Sequence, residues 1–184
     1  MGTLGLAGLG LLASSVPASA LSATAPVAAL PDLPEEWAER QGHLANEYLR
    51  YLSGLNMQRV CPKQVLESHA KAKASVWNSL PPKAWWNRIG YTLRVVDRIA
   101  REMNVSQVEV ISAYRCPAYN AHCSGARSGS WHQANIAADV KFPAKASRVT
   151  ATARELRDLG LFRGGVGGYW DFTHIDCRGQ NINW

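Results

Sequence analysis

No Lys or Arg occurs before Arg40. A secretory leader normally opens on a basic segment, yet Leu4 to Val16 form an apolar run that leads into Pro17-Ala-Ser-Ala20, an A-x-A-like cleavage signal. Residues 1–20 therefore read as a leader cut after Ala20, with its basic part upstream of residue 1. The alternative is a buried or disordered apolar tail. The run falls short of the ~20 apolar residues that a bilayer span needs, so no stable membrane span is expected. No C-x₂-C pair occurs, which disfavours a closed four-thiolate zinc site, and no G-x-S-x-G elbow offers a nucleophilic serine. Lys and Arg never gather into a run, although the formal net charge is +6 and the pI about 9.4. Dispersed charge of this kind is a solvated surface suited to anionic polymers such as cell wall, and nucleic acid is not an expected partner. Internal repeats are absent as well.

The 184 residues, less a leader, suffice for one domain with one core. Residues 21–34, rich in Ala, Pro and Ser, read as a linker, and 35–184 as a single domain, expected to be monomeric. Four cysteines, Cys61, Cys116, Cys123 and Cys177, are an even number, which in an exported chain implies two disulfides. Three pairings are open. The short loop between Cys116 and Cys123 favours that bridge, leaving Cys61 for Cys177.

Asp32 and Glu35 form a capping pair ahead of Trp37, Leu44, Tyr48, Tyr51 and Leu55 at helical spacing, which predicts a helix ending near Gly54. A second helix is expected after Pro62, carrying Val65, Leu66 and Val76 inward. A third follows Pro81-Pro82 with Trp85, Ile89, Leu93, Val96 and Ala100 on one face. From Val108 the period changes to two. Strands are expected at 108–112, 136–142, 166–170 and 173–177, with a helix over Ser147 to Leu159. Helices first and a mainly antiparallel sheet afterwards make an α+β domain.

Asp139 is out of place in Ile136-Ala-Ala-Asp-Val-Lys-Phe142, because a carboxylate buried without a partner is costly. A metal ion would answer that cost. Asp139 follows Ser130-Trp-His132 after six residues, and a second frame reads Gly164-Gly-Val-Gly-Gly-Tyr-Trp-Asp171-Phe-Thr-His174-Ile-Asp176. Ile111-Ser-Ala-Tyr-Arg115-Cys-Pro117, then Asn120 and Gly125-Ala126, precede them, and Arg178-Gly179 and Trp184 follow. In this order, from about Pro81 onward, the segments resemble the zinc D-alanyl-D-alanine carboxypeptidase and murein endopeptidase family. The resemblance implies the hedgehog/DD-peptidase fold, with the N-terminal helices packed on the sheet. It also implies Zn²⁺ as cofactor, held by His132, Asp139 and His174, with the fourth tetrahedral position left for water.

A peptidase of this kind needs a general base. Asp171 stands where the carboxypeptidase branch has Glu in an E-x-x-H motif, and Asp176 stands where other branches place a second polar residue after the ligand. Both remain candidates, and Asp176 is favoured because it shares strand parity with His174. Arg115 matches the family arginine that binds the substrate carbonyl and the developing oxyanion. Ser130 and Tyr114 match residues lining the cleft. His43, His69 and His122 have no such frames and are assigned no function. The expected protein is a periplasmic or secreted zinc metallopeptidase acting on peptidoglycan stem or cross-link peptides, as an endopeptidase or a D,D-carboxypeptidase. The rival is a catalytically silent, zinc-stabilised module that binds cell wall or protein.

Overall fold

Gly42 decides the layout of the N-terminal region. Its φ of 54° lies in the left-handed range that glycine tolerates, and it divides the expected helix into α1, Glu35–Gln41, and α2, Leu44–Ser53. The computed structural model describes residues 1–2 and 32–184. The expected leader, apart from its first two residues, and most of the expected linker lie outside the described residues. Pro34 precedes α1 without any side-chain cap, so Asp32 does not cap it. Of the expected face, Trp37 and Tyr48 are buried and Tyr51 and Leu55 half-buried, but the break at Gly42 leaves Leu44 exposed, and Leu49 and Leu52 fill the core instead.

Helix α3, Pro62–Glu67, opens with proline in its first turn, where the missing N–H is not needed. It stops before Val76, which belongs to a hairpin of β1, Ala72–Lys73, and β2, Val76–Trp77, turned at Ala74 with φ 51°. Helix α4, Trp86–Glu102, follows a 3-10 turn at Lys83–Trp85 and buries Ile89, Leu93, Val96 and Ala100 as its pattern predicts. Helix α5, Pro117–Ala121, is short, and α6 spans Ala146–Asp158.

The main sheet runs in the order β3 (Glu109–Ser112), β4 (Ala137–Lys141), β6 (Thr173–Asp176), β5 (Gly165–Gly168) and β7 (Ile182–Asn183). Every pair is antiparallel except β5 with β7. Helix and sheet are thus mixed, compatible with α+β. Period two separates the faces of the sheet. Ala138, Val140, Val166 and Ile175 join the core with Leu93, Val96, Val149 and Ala153 of α4 and α6. Ala137, Asp139, His174, Asp176, Gly165 and Gly167 occupy the other face, so the helices insulate one side and the chemistry gathers on the other.

Strand β7 has no legible sequence signal, being two residues long. Buried Arg157 on α6 holds it, giving hydrogen bonds from Nη1 to the carbonyls of Gly164 (3.3 Å) and Ile182 (3.1 Å) and to Asn183 Oδ1 (2.9 Å).

All four cysteines are free thiols, which corrects the two expected disulfides. Cys116 precedes α5 and Cys123 follows it. Seven residues of near-helical chain advance about 10 Å, beyond the ~7 Å Cα reach of a disulfide. Their sulfurs instead face the carbonyls of Trp77 (3.9 Å) and Tyr119 (3.5 Å). Cys61 follows Val60, which bridges Val108 beside β3, whereas Cys177 continues β6. With β3 and β4 between them, three strand spacings amount to roughly 14 Å. Burial pushes the Cys177 thiol up to about 11.

Candidate metal centre and its cleft

Register creates the cluster. Asp139 on β4 lies directly opposite His174 on β6, and Ala137 opposite Asp176. His132 comes from the preceding loop, its Nδ1 2.6 Å from the carbonyl of Ala113. A carbonyl only accepts, so Nδ1 carries the proton and Nε2 turns its lone pair inward. His174 is oriented in the opposite sense. Its Nε2 is 3.0 Å from Asp176 Oδ2, and a carboxylate again dictates that this nitrogen donates, so Nδ1 faces Asp139 Oδ1 at 2.8 Å and His132 Nε2 at 3.2 Å.

His132 Nε2, His174 Nδ1 and Asp139 Oδ1 thus converge as three acceptors without a donor. The ligand atoms of these three buried residues all lie within 4.8 Å of one another. A cation resolves such a cluster. Without one, a proton must, and the titration directions reflect this. For His174, burial opposes protonation, but the flanking carboxylates of Asp139 and Asp176 outweigh it and raise the pKa. Burial lowers that of His132 against the pull of Asp139. Burial would also raise the Asp139 pKa, but His132 and His174 hold it well below the usual carboxylate range. Two neutral imidazole nitrogens and one carboxylate oxygen suit Zn²⁺ with one position left open.

The cleft above the cluster has a volume of about 640 Å³, and its lining includes Arg115, Ser130, Trp131, Tyr169 and Trp184. Arg115 donates to Asp139 Oδ2 and, through Nε, to Ser112 Oγ at 2.8 Å. Ser130 lies in the lining as expected. Tyr114 is buried and is not among the lining residues.

Asp176 shares the face of His174, as parity predicts, but sits behind the imidazole rather than over the cluster. Burial would raise its pKa, yet Arg178, His174 and the Gly165 amide together hold it well below the usual range. Arg178 donates Nε to Asp176 Oδ1 at 2.7 Å and Nη2 to Oδ2. Its guanidinium carbon lies 5.0 Å from the ring centre of Trp131 and 5.1 Å from that of Trp184, and Trp184 leans on His174 at 5.1 Å between ring centres. The glycines of β5 make room for this stack. A Cβ on Gly165 would fall 2.5 Å from Asp176 Oδ2, and one on Gly167 2.5 Å from the Trp184 indole.

Asp171 occupies the turn between β5 and β6, with its side chain 55% exposed and Oδ2 2.7 Å from Lys141 Nζ. Sequence reasoning missed the roles of Arg178, Trp131 and Trp184 in this stack, although Arg178-Gly179 and Trp184 stood in the motifs. His43 and His122 lie outside the site, and His69 is fully buried in the core beside Tyr48.

A buried His-Asp-His cluster that could hold a metal ion thus lies under an open cleft, on the sheet face opposite α4 and α6. The chain belongs to the peptidase M15 family, the zinc D-alanyl-D-alanine carboxypeptidase family, whose family model matches residues 55–176. No curated protein and no solved structure matches the chain. Membership makes it a metallopeptidase of a zinc-dependent family, and the matched stretch contains all three cluster residues.

Proposed function

We propose that this metallopeptidase is exported to the periplasm or beyond the cell and hydrolyses amide bonds in peptidoglycan stem or cross-link peptides. The observation that carries the reading is the acceptor-only trio His132, Asp139 and His174 at the floor of an open cleft with Arg115 beside it. Export is supported by the apolar run and the A-x-A-like signal before residue 21, and a cell-wall substrate by the dispersed positive charge. Among the described residues no helix is long and apolar enough to cross a membrane.

His132, Asp139 and His174 would hold zinc, which when bound would supply the Lewis acidity that polarises a carbonyl and lowers the pKa of water toward about 7. Asp171 is the general base in this reading, in place of Asp176. The Asp176 carboxylate is engaged by His174 Nε2 and Arg178 on the side of the ring away from the cluster, so its task is to fix the His174 tautomer. Asp171 reaches Lys141, which lies two residues from Asp139 on the same face of β4, about 7 Å along the strand. It is three residues ahead of His174, and it would exchange its Lys141 contact for a proton from water and return that proton to the leaving amine. Arg115 offers fixed donors beside the cluster, where negative charge grows on the carbonyl oxygen.

Digestion of purified sacculi, with mass spectrometry of the new amine and carboxylate ends, tests the reading. Zinc-dependent appearance of paired new ends is expected. The exposed Asp171, engaged with Lys141 rather than with the cluster, is the feature that favours a silent binding module instead. Zinc and muropeptide binding without any new ends would establish that alternative.

A further inference from the structure

The cleft holds more positive charge than the metal cluster requires. Its lining contains Arg115, Arg127 and Arg178, against Asp139 as the single acidic side chain among the described residues that line it. Arg115 is engaged by Asp139 and Arg178 by Asp176. Arg127 is different, because its guanidinium has no hydrogen bond or ion pair among the described residues, while its backbone is firmly held. The Arg127 carbonyl accepts buried Asn120 Nδ2 at 3.0 Å and the Ser130 amide at 3.1 Å. The next carbonyl, of Ser128, accepts Gln133 Nε2 at 2.5 Å. Arg127 is exposed, but it is fixed at its root, borders the cleft and lacks a counter-ion among the described residues.

We propose, resting on the peptidase reading above, that Arg127 forms a subsite for a carboxylate of the substrate peptide and makes the enzyme prefer acidic peptides over their amidated counterparts. A divalent ion bound at the cluster would add further positive charge to the cleft, which a neutral peptide would leave uncompensated. The planar guanidinium matches a carboxylate in a two-pronged pair that a single ammonium cannot reproduce. Because Arg127 stays in contact with water, the pair strengthens binding by about three- to tenfold rather than by the larger factor of a buried one.

The test is calorimetric binding to the zinc-loaded protein of three probes. They are the stem tripeptide L-alanyl-γ-D-glutamyl-L-lysine with both carboxylates free, the same peptide amidated at the glutamyl α-carboxylate, and the same peptide amidated at its C-terminus. One amidated form is expected to bind about three- to tenfold more weakly than the free acid. That gap should close in Arg127→Gln, which keeps full zinc content, and reopen in part in Arg127→Lys. The amide that weakens binding identifies which carboxylate is read. The proposal is overturned if both amides bind like the acid, if the gap survives in Arg127→Gln, if that variant loses zinc, or if the free acid does not bind. Binding is read without turnover, so failure to cleave any peptide would count against the peptidase reading alone.

Discussion

Replacing Asp176 with Asn probes the orientation of His174. Asp176 Oδ1 accepts the amides of Gly165 (3.1 Å) and Arg178 (3.2 Å) and Arg178 Nε (2.7 Å), while Oδ2 accepts Arg178 Nη2 and His174 Nε2 (3.0 Å). An asparagine keeps its oxygen where the three donors meet, which turns its NH₂ toward Arg178 Nη2 and His174 Nε2. Two donors then face each other. His174 escapes by moving its proton from Nε2 to Nδ1, the nitrogen that faces the cluster, and so cancels the lone pair that a metal needs. Leaving one buried donor unsatisfied costs about 1–3 kcal/mol, and each 1.4 kcal/mol is tenfold in an equilibrium constant. Zinc affinity should therefore fall about ten- to hundredfold, the usual effect of removing the partner behind a metal-bound histidine. Competition against a chromophoric zinc chelator at neutral pH measures it, and circular dichroism of the metal-free protein checks the fold. Arg178→Gln, which removes only the donors to Asp176, should shift the affinity in the same direction by less. Wild-type zinc affinity in folded Asp176→Asn would refute the tautomer reasoning.

Asp171→Asn should leave zinc affinity within about twofold and reduce turnover of cross-linked muropeptides by about 10²–10⁴-fold, the range for a lost general base; undiminished turnover would remove Asp171 from the mechanism. His69 is fully buried, and burial lowers its pKa from 6.5 to about 4. The unfolded chain takes up the proton near pH 6.5 and the folded one only near pH 4, so this contribution to stability is intact above pH 6.5 and is lost as pH falls toward 4, by about 3 kcal/mol. Urea unfolding across that window should show a shallower pH dependence in His69→Leu by about that amount, and identical slopes would show that His69 is not the titrating group. Gly167→Ala would put a methyl 2.5 Å from the Trp184 indole and lift the ring off His174, costing about 1–3 kcal/mol in the same assay; unchanged stability would mean that Trp184 moves freely.

The face of the sheet that carries the cluster was legible because strand side chains alternate strictly, so Ala137 with Asp139 and His174 with Asp176 had to share sides. Alternation does not reveal which residues of two strands lie opposite each other. The pairing of Asp139 with His174 decides which imidazole nitrogen looks inward, and hence that Asp176 stands behind the ring; parity alone could not separate the two places. Helix α4 matched its pattern because four apolar positions, Ile89, Leu93, Val96 and Ala100, agree over seventeen residues, whereas Trp85 falls in the preceding 3-10 turn and is half-buried. The break at Gly42 was hidden because Trp37 and Leu44 keep helical spacing across it. Cys116 and Cys123 misled for a related reason, since a gap of seven residues reads as a short loop although α5 stretches it along a helix axis.

Asp139 and His174 ride on neighbouring strands locked by backbone hydrogen bonds, while His132 rides on a loop fastened by Nδ1 to Ala113 and by the Arg115 amide to its carbonyl at 3.3 Å. Two of the three cage residues are therefore held by strand pairing and the third by loop and side-chain hydrogen bonds, so the loop is the less costly part of the cage to disturb. The same loop supplies Arg127 and Ser130 to the cleft wall. A ligand bound against that wall would stabilise the arrangement that holds His132, so a chelator should remove bound zinc more slowly from the ligand-saturated protein than from the free one.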